Sequence, residues 1–96
     1  RVTGWHTVSD MAFNGTKIGG TLRNASDEVA LNVVLTARLI DENGRTIGTE
    51  QADLERRGLE PGGSTTFVAE FSGVYSYVGV DFEIQSFGAV RQRDGE

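Results

Sequence analysis

Asp41, Glu42 and Asn43 place three oxygen-bearing side chains in a row ahead of Gly44, inside the stretch TARLIDENGRTIG of residues 36–48. Such oxygens hold calcium when they recur at alternate positions around a central glycine, with a glutamate closing the loop about twelve residues on. Here the alternate donors stop at Asn43 and both flanks read as strands. Asp41 ends one strand, Asn43-Gly44 turns, and RTIG returns. The expectation is a hairpin bend, with Asn-Gly suited to the two positive φ angles of a type I′ turn.

The other candidates for chemistry are sparse. His6 is the only histidine. A Ser-His-Asp triad would need a nucleophile in a defined setting, and no G-x-S-x-G elbow is present. Copper carriage would need several His and Met side chains, where this chain offers His6 and Met11, so no metal and no cofactor is expected. Asp81 and Glu83 share one strand face, with Glu70 on an expected neighbouring strand. A glycosidase pair would need a cleft of about 5–10 Å between carboxylates, and a solvated acidic face accounts for them without one. Arg56-Arg57 could grip an anion, but Glu50, Asp53 and Glu55 lie close in sequence and counter them. The glycines of IGGT and EPGGST precede strands, so they lack the helix N-terminus that a phosphate cradle uses.

Two sequons, Asn14-Gly15-Thr16 and Asn24-Ala25-Ser26, fall at expected turns, where a glycan could be accommodated in an exported protein. Trp5, Tyr75 and Tyr77 form the candidate contact surface, because aromatic side chains carry binding energy well. Packing is the competing role for all three.

The elements that must position these residues follow a period of two. In LNVVLTARLID, Val33, Leu35, Ala37 and Leu39 point one way, while Asn32, Thr36 and Arg38 point the other. Phe67, Ala69 and Phe71 share a face, as do Ile18, Gly20 and Leu22, and Val78, Val80, Phe82 and Ile84. VTGWHTV reads as a further strand. Turn signals recur at about ten-residue intervals, at Asn14-Gly15, residues 24–27, Asn43-Gly44, Glu60-Pro61-Gly62-Gly63 and Ser72-Gly73. Residues 50–58 have only Ala52 and Leu54 as apolar members and read as an edge strand running into a loop. The fold expected is all-β: an immunoglobulin-like or fibronectin-III-like sandwich of six to seven antiparallel strands, with residues 1–96 as a single domain.

Composition narrows the partners. The net charge of −5 and pI near 4.8 argue against nucleic acid. No apolar run approaches the roughly 20 residues of a membrane helix, so direct membrane insertion is not expected. Cysteine is absent, which removes disulfides and thiol chemistry. Lys17 is the sole lysine against eight arginines, a pattern shared by salt-adapted (halophilic) proteins and by GC-rich coding. The chain starts at Arg1 rather than Met and is read as a piece of a longer exported or membrane-anchored protein.

The order of pieces in GGTLRNASDEVALNVVLTARLIDENGRTIGTE…LEPGGSTTFVAEF resembles the FxLYD family of small β-sandwich domains. The matching positions run from Gly20 to Asn24, then Leu39-Ile40-Asp41, Gly44, and Leu59, Pro61, Gly62 and Phe67, within residues 17–71. The name-giving Phe is Ala37 here and the Tyr is Ile40. LEA14-like stress-protective domains share an Asn turn and a Pro-Gly loop, but usually with Asn-Pro where this chain has Asn24-Ala25. The resemblance implies a bacterial or archaeal exported or membrane-anchored protein, and it transfers no catalytic residue.

The function expected is a non-catalytic extracytoplasmic or cell-surface module for interaction or spacing. Its partners would be proteins or cell-envelope components, met through a sheet face or edge. The edge expected to recruit another strand, including that of a homodimer, is the segment 46–54. The alternatives are a LEA14-like stress-protective role and a small-molecule site between Trp5, His6 and the loop carrying Tyr75 and Tyr77.

Overall fold

The computed structural model describes residues 1–8 and 12–86 and the backbone of 90–91. Met11 lies outside the described residues. These residues form nine strands and no helix: β1 (Val2–Val8), β2 (Gly15–Arg23), β3 (Glu28–Val29), β4 (Val34–Ile40), β5 (Thr46–Gln51), β6 (Asp53–Leu54), β7 (Ser64–Ser72), β8 (Gly79–Gln85) and β9 (Val90–Arg91). Six have six residues or more; β3, β6 and β9 have two each. All described pairings are antiparallel. One sheet has the order β1-β2-β7-β6, a second β5-β4-β8, and β3 pairs with β9 alone.

The strands exist because apolar residues alternate, and the two larger sheets share the core that the alternation creates. Ile18 and Leu22 of β2, with Phe67, Ala69 and Phe71 of β7, meet Leu35, Ala37 and Leu39 of β4, all buried. Leu59 and Val33 close the same cluster from loops. The Phe67 ring meets Phe82 of β8 edge-on, with centroids 5.5 Å apart, so an aromatic pair links the sheets. This is a β-sandwich-like arrangement.

Burial thins toward the sheet margins. Val80, Phe82 and Ile84 occupy the core-facing register opposite Leu39, Ala37 and Leu35, yet Ile84 remains 42% exposed. Val78 precedes β8 and is exposed, so it belongs to the loop and not to the expected apolar face. The reason is position: β8 ends its sheet, and alternation alone cannot say how far the opposite sheet reaches over a strand.

The turns hold their predicted places, with one change of type. Gly44 has φ +79° and Asn43 keeps a negative φ, so the β4–β5 hairpin lacks the two positive angles of a type I′ turn. The Gly44 N–H donates to the Asp41 carbonyl (3.0 Å) and the Asp41 N–H to the Arg45 carbonyl (2.9 Å). A register shift sits between Leu39 and Ile40. That is a three-residue connection with a left-handed glycine forming a bulge. At Glu60-Pro61-Gly62-Gly63, Gly62 has φ +78° and the Gly63 N–H reaches the Glu60 carbonyl at 2.8 Å, as Pro and Gly at the two central positions of a type II turn dictate.

Residues 50–58 divide between the sheets. β5 is the edge beside β4, Ala52 is buried with its N–H on the Leu35 carbonyl (2.8 Å), and β6 then pairs with β7. The chain therefore crosses from one sheet to the other at a single small residue.

Candidate functional site

The Asp41 loop is occupied by its own backbone. Asp41 Oδ1 accepts from the N–H groups of Asn43 and Arg45, each at 2.9 Å. A short acid at this position holds the bend by taking donors that the turn leaves unpaired.

The carboxylates considered for glycoside chemistry are on opposite outer faces. Glu70 lies outside the four-stranded sheet, 3.2 Å from Lys17 Nζ. Asp81 and Glu83 lie outside the three-stranded sheet, with Glu83 paired to Arg38. The expectation that Glu70 neighbours them fails because β7 and β8, consecutive in the chain, enter different sheets. Among the described residues no group of three or more His, Asp or Glu side chains converges in the way a metal ion requires.

Arg56 is engaged locally. Its guanidinium donates to the Ser64 carbonyl (3.0 Å) and its N–H to Thr65 Oγ1 (2.9 Å). Thr65 is buried and its hydroxyl donates to the Thr66 carbonyl at 3.1 Å.

Asn24, read as a turn residue and a possible glycan acceptor, is a buried junction. Its Nδ2 donates to the carbonyls of Glu28 (2.7 Å) and Leu59 (2.9 Å), and its Oδ1 accepts from the N–H (3.0 Å) and hydroxyl (2.7 Å) of Ser26. Its main-chain N–H donates to Gly63 O, and its carbonyl accepts from Gly62 N–H. Both amide protons are in use, so a glycan on Nδ2 would displace one of these bonds. The expectation that this sequon accommodates a glycan is corrected for Asn24. Asn14 is exposed.

The aromatic trio is only partly brought together. Trp5 and Thr7 share the core-facing side of β1, as their partners Gly20 and Ile18 on β2 show. Tyr77 packs against the core, with its hydroxyl 2.6 Å from Thr7 Oγ1. Trp5 is 43% exposed because β1 is a sheet edge, and Tyr75 is 69% exposed in the loop before β8. His6 turns to the opposite face from Trp5, over Gly19. It shares with Trp5 only a hollow open to solvent, lined also by Thr3, Gly4, Gly20, Thr21 and Thr66, and neither tyrosine lines it.

A second hollow of about 180 Å³ lies at the end of the two sheets, with Leu22, Val33, Leu59 and Ile84 among its lining and Arg1 and Arg23 beside them. It is smaller than the roughly 300–1,000 Å³ of usual ligand sites.

Sequence reasoning passed over β1 as an edge. The signal was there: VTGWHTV contains no charged residue, unlike the strands at the other long edges. No protein-family model, curated protein or solved structure matches the chain. Fold and surface together define an antiparallel all-β protein in which Asp41, Asn24 and Arg56 secure turns and loops with their side chains.

Proposed function

We propose that this chain is an immunoglobulin-like domain of FxLYD type that serves as a non-catalytic, extracytoplasmic module for interaction or spacing. One observation carries the reading. The two segments on which the FxLYD resemblance rests are tied to each other through Asn24, which bonds Leu59, Gly62 and Gly63 from the Pro-Gly segment. Signature positions that hold one another are what a structural signature calls for, and they leave the outer faces and edges available for contact.

Strand order supports the immunoglobulin-like part. Reading β1, β2, β7 and β6 as strands A, B, E and D, and β5, β4 and β8 as C′, C and F, is compatible with the immunoglobulin order, although β9 pairs with β3 and not with β8. Two of the residues considered for chemistry, Asp41 and Arg56, are committed to a turn and to loop closure, which supports the non-catalytic part.

These 96 residues hold no cysteine, so a thiol introduced here and read against the unsubstituted protein tests location. Tyr75→Cys, placed in the protein as its native cell makes it, provides an exposed thiol. A membrane-impermeant maleimide should label it in intact cells. Labelling only after lysis would overturn the extracytoplasmic reading.

A further inference from the structure

Hydrogen-bond parity identifies which backbone groups of β1 face outward. The Arg1 backbone nitrogen and carbonyl exchange bonds with the carbonyl and N–H of Arg23. β2 runs in unbroken register with β7, and in an antiparallel pair the bonded residues alternate. Arg23, Thr21, Gly19 and Lys17 therefore direct their backbone groups toward β1, while Asn24, at the next position, bonds toward the β7 side. Their partners Gly4, His6 and Val8 are consumed by β2. The N–H and C=O groups of Trp5 and Thr7 point away from the sheet, toward an edge with no strand partner among the described residues.

Charge distinguishes this edge from the others. β5 carries Glu50, opposite buried Ala37 on the core-facing side, an inward-pointing charge of the kind that discourages edge pairing. β8 carries Asp81 and Glu83 with Arg38 beside them, and β6 is two residues long with Asp53. Residues 2–8 of β1 contain no Asp, Glu, Lys or Arg, in a chain of net charge −5. Two copies of an acidic protein repel each other at every edge that bears carboxylates and least at this one.

We infer that β1 pairs antiparallel with β1 of a second copy, about a two-fold axis at His6. The bulge between Val2 and Gly4 leaves residues 4–8 as the regular stretch, and its centre is His6. In this register Trp5 of each copy exchanges two backbone bonds with Thr7 of the other, four in all. The two His6 residues form the close, non-bonded central pair with Cα atoms about 4.5 Å apart. Trp5 then lies beside Thr7 and Tyr77 of the second copy, and the two four-stranded sheets become one continuous sheet with an isologous contact.

This deepens the interaction-module reading and moves its dimerisation edge from 46–54 to β1. The two ideas fail separately, since cell labelling tests location and mass tests pairing. The 96-residue chain is followed by sedimentation from about 10 μM to about 1 mM, with emission of Trp5, the only tryptophan. The mass should rise toward twice 10.4 kDa, with a blue shift as Trp5 is covered. His6→Lys and His6→Glu each put like charges across the axis and should weaken association by about tenfold or more. Mixing the two variants in equal amounts should restore the dimer, which also shows that both are folded. A wild-type chain that stays monomeric at the highest concentration overturns the pairing. So do variants that associate as tightly as wild type, and variants that fail to associate when mixed.

Discussion

The Asn24 side chain reaches the Leu59 carbonyl across 2.9 Å, although the two residues are 35 positions apart. Leu59 is itself buried, and its carbonyl also accepts the Ala30 N–H at 2.9 Å. One amide therefore joins the turn after β2, the start of β3 and the loop that leads to β7.

Removing that amide should cost more than an ordinary surface bond. Asn24→Ala removes two donated bonds and the acceptor of the Ser26 N–H and hydroxyl at a buried junction, and we expect a loss of about 2–3 kcal/mol in denaturant unfolding. Asn24→Asp should be worse at neutral pH, because a carboxylate would face the Glu28 and Leu59 carbonyls. Protonating the new acid restores one donor toward those carbonyls, so the cost should ease as pH is lowered. Equal stability of the two variants across that range would count against the amide's role.

Gly20 should not accept a side chain. A Cβ there would stand 2.2 Å from the Gly4 carbonyl oxygen and 2.8 Å from the Phe67 ring, while one at Gly79 would meet nothing within 4 Å. Gly20→Ala is expected to destabilise by about 1–3 kcal/mol or more, and Gly79→Ala to stay within about 0.5 kcal/mol of wild type. Thermal unfolding of the pair separates a packing clash from a generic glycine effect.

Phe67 and Tyr75 should differ sharply. Phe67 is 2% exposed and bridges the sheets through Phe82, whereas Tyr75 is 69% exposed. Phe67→Ala should lose about 3–5 kcal/mol and Tyr75→Ala under about 0.5 kcal/mol. Comparable losses in urea titration would show that the core is organised around some other residue.

The Asp41 loop should behave as a bend. Asp41→Ala removes the acceptor of two N–H groups and should cost about 1 kcal/mol, while Asp41→Asn keeps an oxygen in place and should cost less. Millimolar calcium should leave the unfolding temperature of the wild type unchanged. A rise that disappears in Asp41→Ala would make the loop a cation site after all.

Much of the architecture was readable because it is local. Leu35, Ala37 and Leu39 alternate with Thr36 and Arg38, and a strand sends successive side chains to opposite faces wherever it lies. Pro61 and Gly62 announced their turn through the φ angles they favour. The hairpin at Gly44 was found but its type was not. The choice between two positive φ angles and one depends on the bulge that joins β4 to β5, and Asn-Gly is compatible with both.

The candidate surface was less readable. Glu70 seemed a neighbour of Asp81 and Glu83 because β7 precedes β8, and only the assignment of those strands to separate sheets put the acids on opposite sides. Trp5 and His6, adjacent in sequence, face opposite ways, and Tyr77 is joined to β1 through Thr7, a residue that composition gave no reason to single out. By itself the sequence determined the strands, their buried faces and the sites of the turns, since alternation and turn propensity are properties of a few neighbouring residues. Tertiary structure decided which strands pair, which edges stay open and what Asn24 bonds, because those depend on contacts between residues tens of positions apart, selected only when the whole core closes.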